Sequence, residues 1–472
     1  MCRMDDSPRS DTADRAQAQA PPRRRLRDLV DSLVLASPAR TAMVGFAVVA
    51  AVFTVLLSLP VAAQGPGSAS FADALLVAVS AVCVTGLTSV VTEQQWSPFG
   101  LGVITVAIQI GGIGILTAAS LLGMAMSKRL GVRQRLLAAQ ATGASQLGHV
   151  GSLLRVVLLT MIAAEVVVTA LLLPRFLLRG EGIWQALWHA VFYSVSSFNN
   201  AGFTVHPGGM AHFADDPWIL GVIGAAVFVG SLGFPVIFVM SVFWRTPRAW
   251  DLHTKLTLTM SGALVLVGWA LLLGFESGNP RTLAEKGPVA TAGEVLFLSV
   301  MSRSGGFATM DVESMSQTSH VLLDLLMFVG GGSGSTAGGI KVTTLAVLVL
   351  VAIAEARGLT DTTAFRRRIA PSSIRLAVTV LLAGAGTVVL GTIVMLSVTD
   401  EPLDFVLFEV VSAFATCGLS VGVTERAPDE GLYVLSGLML VGRLGTITLA
   451  SALSQRSQTR RYRYAEDRPI VG

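Results

Sequence analysis

Ala81-Val82-Cys83-Val84-Thr85-Gly86-Leu87-Thr88 is a short apolar run that stops at a glycine, in a chain dominated by long hydrophobic segments. Alone it is a weak signal, because small-residue turns after apolar helices are common. Repetition gives it weight. Asn200-Ala201-Gly202-Phe203, Ser304-Gly305-Gly306-Phe307 and Thr416-Cys417-Gly418-Leu419 echo it at intervals of about 105–115 residues. A period that long in an apolar chain means a duplicated unit of several segments. Four glycine turns brought to one axis would expose four sets of backbone carbonyls, which is how a cation filter replaces a hydration shell. The expected ion-binding set is Val84, Thr85 and Gly86 with Asn200, Ala201 and Gly202. It is completed by Ser304, Gly305 and Gly306 and by Thr416, Cys417 and Gly418.

Composition sets the class. The 472 residues are 52% hydrophobic and 14% charged, with a mean hydropathy of +0.67, which excludes an ordinary soluble protein. Cys2, Cys83 and Cys417 are too few and too scattered for a disulfide framework or a zinc site. The six histidines and the carboxylates show no metal or triad spacing, so an enzyme is not expected and no bound cofactor is implied. Residues 1–37 read as a disordered cytoplasmic tail ending in the basic patch Arg23-Arg24-Arg25. They lack the apolar core and small-residue cleavage site of a signal peptide.

From there one pattern recurs four times: a long apolar span, a shorter apolar stretch, the glycine turn, and a second long span. The segments are 41–63, 71–83 and 98–126, then 153–174, 184–198 and 217–244. They continue with 256–275, 292–303 and 320–355, then 374–398, 404–415 and 430–453. About 20 apolar residues cross a bilayer core of roughly 30 Å, whereas a dozen between two such spans mark a re-entrant segment. Its non-helical end is tolerable at membrane depth only against protein or a water-filled cavity. The expected fold is an all-α integral membrane protein of four M1–pore-helix–M2 repeats, pseudo-fourfold around one pore, with eight transmembrane helices and four re-entrant loops. The repeats are 38–127, 150–244, 254–356 and 373–454, followed by a cytoplasmic tail over 455–472.

Further positions align. Ser80, Ser196 and Ser412 sit six residues before their turn glycines, and Val300 breaks the pattern in the third unit. Small residues recur in the second spans at Gly111-Gly112, Gly230-Ser231, Gly330-Gly331-Gly332 and Gly442. They are either helix-packing contacts or, as their common depth favours, a pore-lining level. Basic residues cluster between the units at Lys128-Arg129, Arg133, Arg135, Arg245, Arg248, Lys255, Arg357, Arg366-Arg367-Arg368 and Arg375. The positive-inside rule puts these loops and both termini in the cytoplasm. Glu93, Asp215-Asp216, Glu276, Asp400-Glu401, Glu425 and Asp429-Glu430 then form an outer acidic ring that would concentrate cations. The net charge of +4 therefore orients the chain and does not argue for a nucleic-acid partner.

Phe198-Asn199-Asn200-Ala201-Gly202-Phe203, the run Gly332–Lys341, and Gly442-Arg443-Leu444-Gly445-Thr446 join the opening stretch in a resemblance to the Trk/Ktr/HKT superfamily of potassium transporters. It covers essentially residues 38–455. Two departures are visible: Arg303-Ser304 precedes Gly305-Gly306, where the family usually has Thr-Ala before Gly-Phe, and Thr446 stands where Pro is common. The lack of an extra pair of spans before the first unit resembles the Ktr branch, whose KtrB-like membrane subunit is a homodimer on a cytoplasmic RCK-type (KtrA-like) nucleotide-binding ring. The resemblance implies K⁺ at the filter glycines and uptake across a bacterial-type plasma membrane, with Na⁺ dependence left open. In plant relatives a serine at the first filter position accompanies Na⁺ preference. A secondary-active cation symporter with a midplane site is the alternative.

Single residues sharpen the reading. The segment Gly330, Gly331, Gly332, Ser333, Gly334, Ser335, Thr336, Ala337, Gly338, Gly339 has little helical propensity. It superficially matches a phosphate-binding loop, but Ile340 holds the lysine's place and no strand precedes it. The better reading is a broken helix serving as a gate, against a mere kink. Lys341 is grouped with this gate or is a snorkelling end charge. Arg443, deep in the last span, is an electrostatic barrier, an anchor for the loop, or a structural pair. Glu165 has no partner apparent in the sequence.

Overall fold

Ser70 starts the first short helix, Phe71–Cys83, by accepting a hydrogen bond from the Asp73 N–H at 3.1 Å. This N-cap satisfies one of the four donors that a helix start leaves open. Every residue of that helix from Leu76 onward is buried, so its second half runs into the protein's interior. Three further short helices, Ile183–Phe198, Pro288–Met301 and Leu403–Ala415, have similarly buried C-terminal halves.

The computed structural model describes residues 38–65, 67–127, 150–283 and 287–455. The expected tail 1–37, the basic linker 128–149 and residues 456–472 lie outside the described residues. Long helices flank each short one: Pro38–Leu57 and Pro98–Ser127, Val150–Leu178, Leu252–Glu276, Pro371–Val398 and Asp429–Gln455. Among the described residues, Val157–Leu178, Leu252–Glu276 and Pro371–Val398 are long and apolar enough to cross a membrane. Their outer faces stay uncovered, with Val166, Leu266 and Leu382 at least 60% exposed. Exposed leucine and valine in such density fit a lipid solvent rather than water.

The packing is cyclic. Phe71–Cys83 packs on Asp429–Gln455, and Ile183–Phe198 packs on Pro98–Ser127. Likewise Pro288–Met301 packs on Pro217–Leu232, and Leu403–Ala415 on Gln317–Phe328. Each short helix thus leans on the second long element of the preceding unit, and the fourth unit closes onto the first.

Two of the second long segments are not single helices. The stretch expected as one span over 217–244 is Pro217–Leu232 and Phe234–Val242, bent by 99° at Gly233. The sequence hid this break because Gly233-Phe234-Pro235 keeps the apolar character of a continuous span. In the third unit, Gln317–Phe328 and Val342–Ala356 are separated by the glycine-rich segment, the interruption that its composition implies. Beyond it, Thr363–Ala364 and Arg367–Arg368 form a small antiparallel hairpin, with Phe365 and Arg366 left-handed at its tip.

The acidic outer face is partly spent on structure. Burial alone would raise Asp216, but bonds from Arg175 at 2.7 Å and from the Ile219 N–H hold its carboxyl below the usual carboxylate range. Glu276 accepts from Ser319 Oγ and Ser316 N, and Glu401 pairs with Arg426 at 2.8 Å. These groups fasten loops and do not form a free ring of negative charge.

In three of the four units the recurrent glycines of the second spans are packing contacts. Gly111 lies on the Val82 carbonyl, Gly230 on that of Phe198 and Gly442 on that of Phe414, each with no room for a Cβ. In all three units the covered carbonyl belongs to the residue four positions before the turn glycine. The glycines thus set how deeply each short helix sinks between its neighbours. Gly442→Ala is expected to lower the thermal midpoint of the purified protein, because the overpacking costs about 1–3 kcal/mol. Gly437→Ala, on the same helix with open space around it, serves as the control. Equal midpoints for the two variants would remove the packing role.

Candidate ion-coordinating site

The four short helices aim their C-terminal ends at one another, and three of them stop in the same way. Val84 N donates to Ala81 O at 3.1 Å and Thr85 N to Ser80 O at 2.8 Å. Asn200 and Ala201 repeat this on Ser197 and Ser196, and Thr416 and Cys417 repeat it on Ala413 and Ser412. This pair of bonds is a Schellman ending, which needs a left-handed residue and usually takes glycine. Here that residue is Val84 (φ 56°), Asn200 (φ 63°) or Thr416 (φ 46°). A β-branched residue held there costs on the order of 1–3 kcal/mol and persists only when its surroundings over-determine it.

The aligned serines help to enforce it. Ser80 Oγ accepts from Gly86 N at 3.0 Å, and Ser412 Oγ accepts from Gly418 N at 3.1 Å. Ser196 instead donates its hydroxyl to Phe203 O at 2.9 Å. The third unit, with Val300 in the serine position, departs: Ser304 N bonds to Met301 O, and the left-handed residues are Gly305 (φ 134°) and Gly306 (φ 62°). The break in the serine pattern is thus a break in backbone geometry.

These endings use the N–H groups of the turns and leave the carbonyls outward. Among the described residues, no hydrogen-bond donor reaches the carbonyls of Val84, Thr85, Asn200, Ala201, Ser304, Gly305, Thr416 or Cys417, although all eight residues are buried. Buried peptide carbonyls without partners are rare. Here they are arranged in a ring. Gly86 packs on the Ala201 carbonyl, Gly202 on that of Gly305, Gly306 on that of Cys417 and Gly418 on that of Thr85. The contacts run from each unit to the next and close on themselves. The turn glycines have positive φ, and a Cβ at any of them would strike the neighbouring strand of the ring. Hard carbonyl oxygens held in a ring without a donor suit a dehydrated monovalent cation.

The glycine-rich segment packs next to the ring. Gly332 N donates to Ser231 O at 2.8 Å, and Phe234 N donates to Gly334 O at 3.1 Å, so the segment docks into the break at Gly233. At its other end Gly338 lies directly on Thr416 Oγ1 and the Ala415 carbonyl. Gly330 N and Ile340 N close the base of the loop on Ile340 O and Phe328 O. Arg443 is buried and donates to Thr416 Oγ1 at 3.2 Å, which ties it to the fourth turn. Lys341 is not a snorkelling end charge: its Nζ turns back to the Ala337 carbonyl.

Three residues escape a reading of the sequence for function. Arg303 is buried and donates to Ser261 O at 3.0 Å, Ser261 Oγ at 3.1 Å and Gly330 O at 3.2 Å, so it bridges the third turn to the loop. Its signal was the odd Arg-Ser before Gly305. Asn199 and Gln109 supply the partners that Glu165 lacked, donating to its carboxylate at 3.0 and 2.9 Å. Their separations of 34 and 56 residues leave no local pattern.

Comparison with known proteins agrees over nearly the whole chain. The family model for TrkH, cation transport protein, matches residues 36–460. The chain is 35% identical to Ktr system potassium uptake protein B of Bacillus subtilis, over 94% of this chain and 99% of that protein. It is 31% identical to the potassium/sodium uptake protein NtpJ of Enterococcus hirae, over 92% and 97%. The crystal structure of the potassium transporter TrkH from Vibrio parahaemolyticus shares its fold, with a TM-score of 0.67 at 22% identity, covering 86% of this chain and 84% of that one.

The bridge through Arg303 generates a prediction. A cysteine placed at the part-exposed Ser333 should react slowly with a membrane-permeant thiol reagent while the loop is docked. Adding Arg303→Met should speed labelling at least severalfold, since Gly330 loses its tether. Unchanged labelling rates in the double variant would show that Arg303 does not hold the loop.

Proposed function

We propose that this chain, which belongs to the TrkH family of cation transport proteins, takes up K⁺ across the cell membrane through one gated path along the axis of the carbonyl ring. It is a multi-pass membrane transporter and not an enzyme. The observation that carries the reading is the closed ring of buried, donor-free carbonyls at Val84–Thr85, Asn200–Ala201, Ser304–Gly305 and Thr416–Cys417. A K⁺ ion entering it exchanges water oxygens for peptide oxygens already in place, so little reorganisation opposes dehydration. In this reading the four repeats contribute eight spans and four re-entrant helices, with both termini in the cytoplasm as the basic linkers favour.

The segment Gly330–Gly339 acts as the gate, with Lys341 and Arg443 beside it. It packs against the third and fourth turns, is tethered by Arg303 and docks into the break at Gly233. A cation about 4 Å from a guanidinium is opposed by about 4 kcal/mol at an effective dielectric near 20, so Arg443 would add an electrostatic barrier below the ring. The exposed basic hairpin at Arg366–Arg368 offers a surface to a cytoplasmic partner, which the resemblance to the Ktr branch implies is an RCK-type nucleotide-binding ring under a homodimer of this chain. A partner that prefers one loop state by a few kcal/mol would bias the gate.

Vesicles containing the purified chain should accumulate tracer K⁺ down its gradient without a Na⁺ gradient. Uptake that stops when the Na⁺ gradient is removed would instead favour a symporter. Gly86→Ser should lower K⁺ over Na⁺ discrimination about tenfold by displacing the Ala201 carbonyl, and an unchanged flux ratio would sink the filter assignment. Deleting Ser333–Thr336 should make K⁺ uptake fast and insensitive to nucleotide on the partner ring. If the deletion variant assembles yet still needs the liganded ring, the gate lies elsewhere.

A further inference from the structure

The scattered histidines of the second unit come together where the sequence offered no spacing to join them. Glu181 occupies the turn between Val150–Leu178 and Ile183–Phe198, His189 lies in the second turn of the short helix, and His206 follows Gly202 by four residues. His189 Nδ1 is 2.7 Å from Glu181 Oε2, and His206 Nε2 is 3.1 Å from Glu181 Oε1. One donor atom from each residue lies within 4.8 Å of the others. Both imidazoles are buried, with ring centroids 4.2 Å apart, inside a wall of Phe176, Tyr193 and Phe213.

We propose that Glu181, His189 and His206 form a binding site for a transition-metal ion of the Zn²⁺ class, beside the ring's second turn. One carboxylate and two neutral imidazoles are a donor set that holds Zn²⁺ in three of four tetrahedral positions and leaves the fourth for water. Two nitrogen donors argue against Ca²⁺ and Mg²⁺, which take oxygen. The carboxylate's charge is not otherwise met: Arg175 and Arg179 are turned to Asp216 and Asp215, and among the described residues no lysine or arginine pairs with Glu181. The outer partner of a metal-bound histidine is also present, since Tyr193 Oη is 2.9 Å from His206 Nδ1. On binding, each imidazole presents a lone pair at the nitrogen now facing Glu181 and carries its proton on the opposite nitrogen. His212, exposed and stacked on His206 at 5.2 Å, marks the way in from outside. An ion held here joins the short helix to the strand leaving Gly202, independently of what passes along the axis.

The test uses the full chain in detergent, stripped with chelator and titrated with Zn²⁺ in a calorimeter. One ion per chain is expected, with binding at least tenfold weaker in Glu181→Gln and His206→Gln. Tyr193→Phe, which keeps all three ligands, should weaken binding by about 10–100-fold. Because these variants could fold poorly, X-ray absorption on the wild-type protein with one equivalent of Zn²⁺ gives a second reading, in which scattering from two imidazoles is expected. No retained Zn²⁺, a spectrum without imidazole scattering, or unaltered affinity in folded Glu181→Gln and His206→Gln would each overturn the site.

Discussion

Backbone carbonyls inside an apolar protein must be paired, hydrated or turned to use. That demand organises this chain. The four short helices stop in the middle of the body, where a helix end would ordinarily leave a bundle of unmet acceptors. In three of them Schellman endings fold the last N–H groups back onto the helix, and the turn carbonyls are left without donors in all four. The rest of the fold keeps that arrangement in place: serines brace the glycine N–H groups, and small residues on the long helices let the short ones sink to one depth. The outer faces, left apolar and uncovered, put the assembly into lipid.

Much of this was legible in the sequence because the duplicated unit repeats its physics. The short helices fall close to the apolar runs, and the turn glycines mark their ends. Length set Val157–Leu178, Leu252–Glu276 and Pro371–Val398 apart as helices able to cross a membrane. Illegible features were those without a period. The bend at Gly233 is occupied by a loop about a hundred residues later, which docks into it, and no window around Gly233 contains that loop. The packing glycines were visible but ambiguous, since a small residue at constant depth serves a lining and a helix contact equally. The ligands of Glu165 and the cluster around Glu181 come from distant segments, where spacing rules have nothing to measure.

The glycine-rich loop shows how weak local propensity is used. With little side-chain bulk of its own, the segment takes its shape from its surroundings: the opened backbone at Ser231–Phe234, the carbonyls of Phe328 and Ile340, and the guanidinium of Arg303. A continuous helix here would satisfy its own peptide groups and ignore its neighbours. The broken one has to negotiate with them, so its position reports on theirs.

The third unit breaks the serine pattern, and this gives the ring a directional mechanics. Three corners are braced by hydroxyls within their own repeat, like posts set in separate footings. The remaining corner lacks the aligned serine and is tied instead by Arg303, whose three bonds are divided between Ser261 and Gly330, and by Cys417 Sγ on the carbonyls of Met301 and Ser302. At 3.2 Å the bond to Gly330 tolerates only a few tenths of an ångström before it ceases to be one. A displacement of the loop therefore loads the third corner through Arg303 and the fourth through the contact of Gly338 with Thr416, and the ring is strained on one side and not opened evenly like an iris.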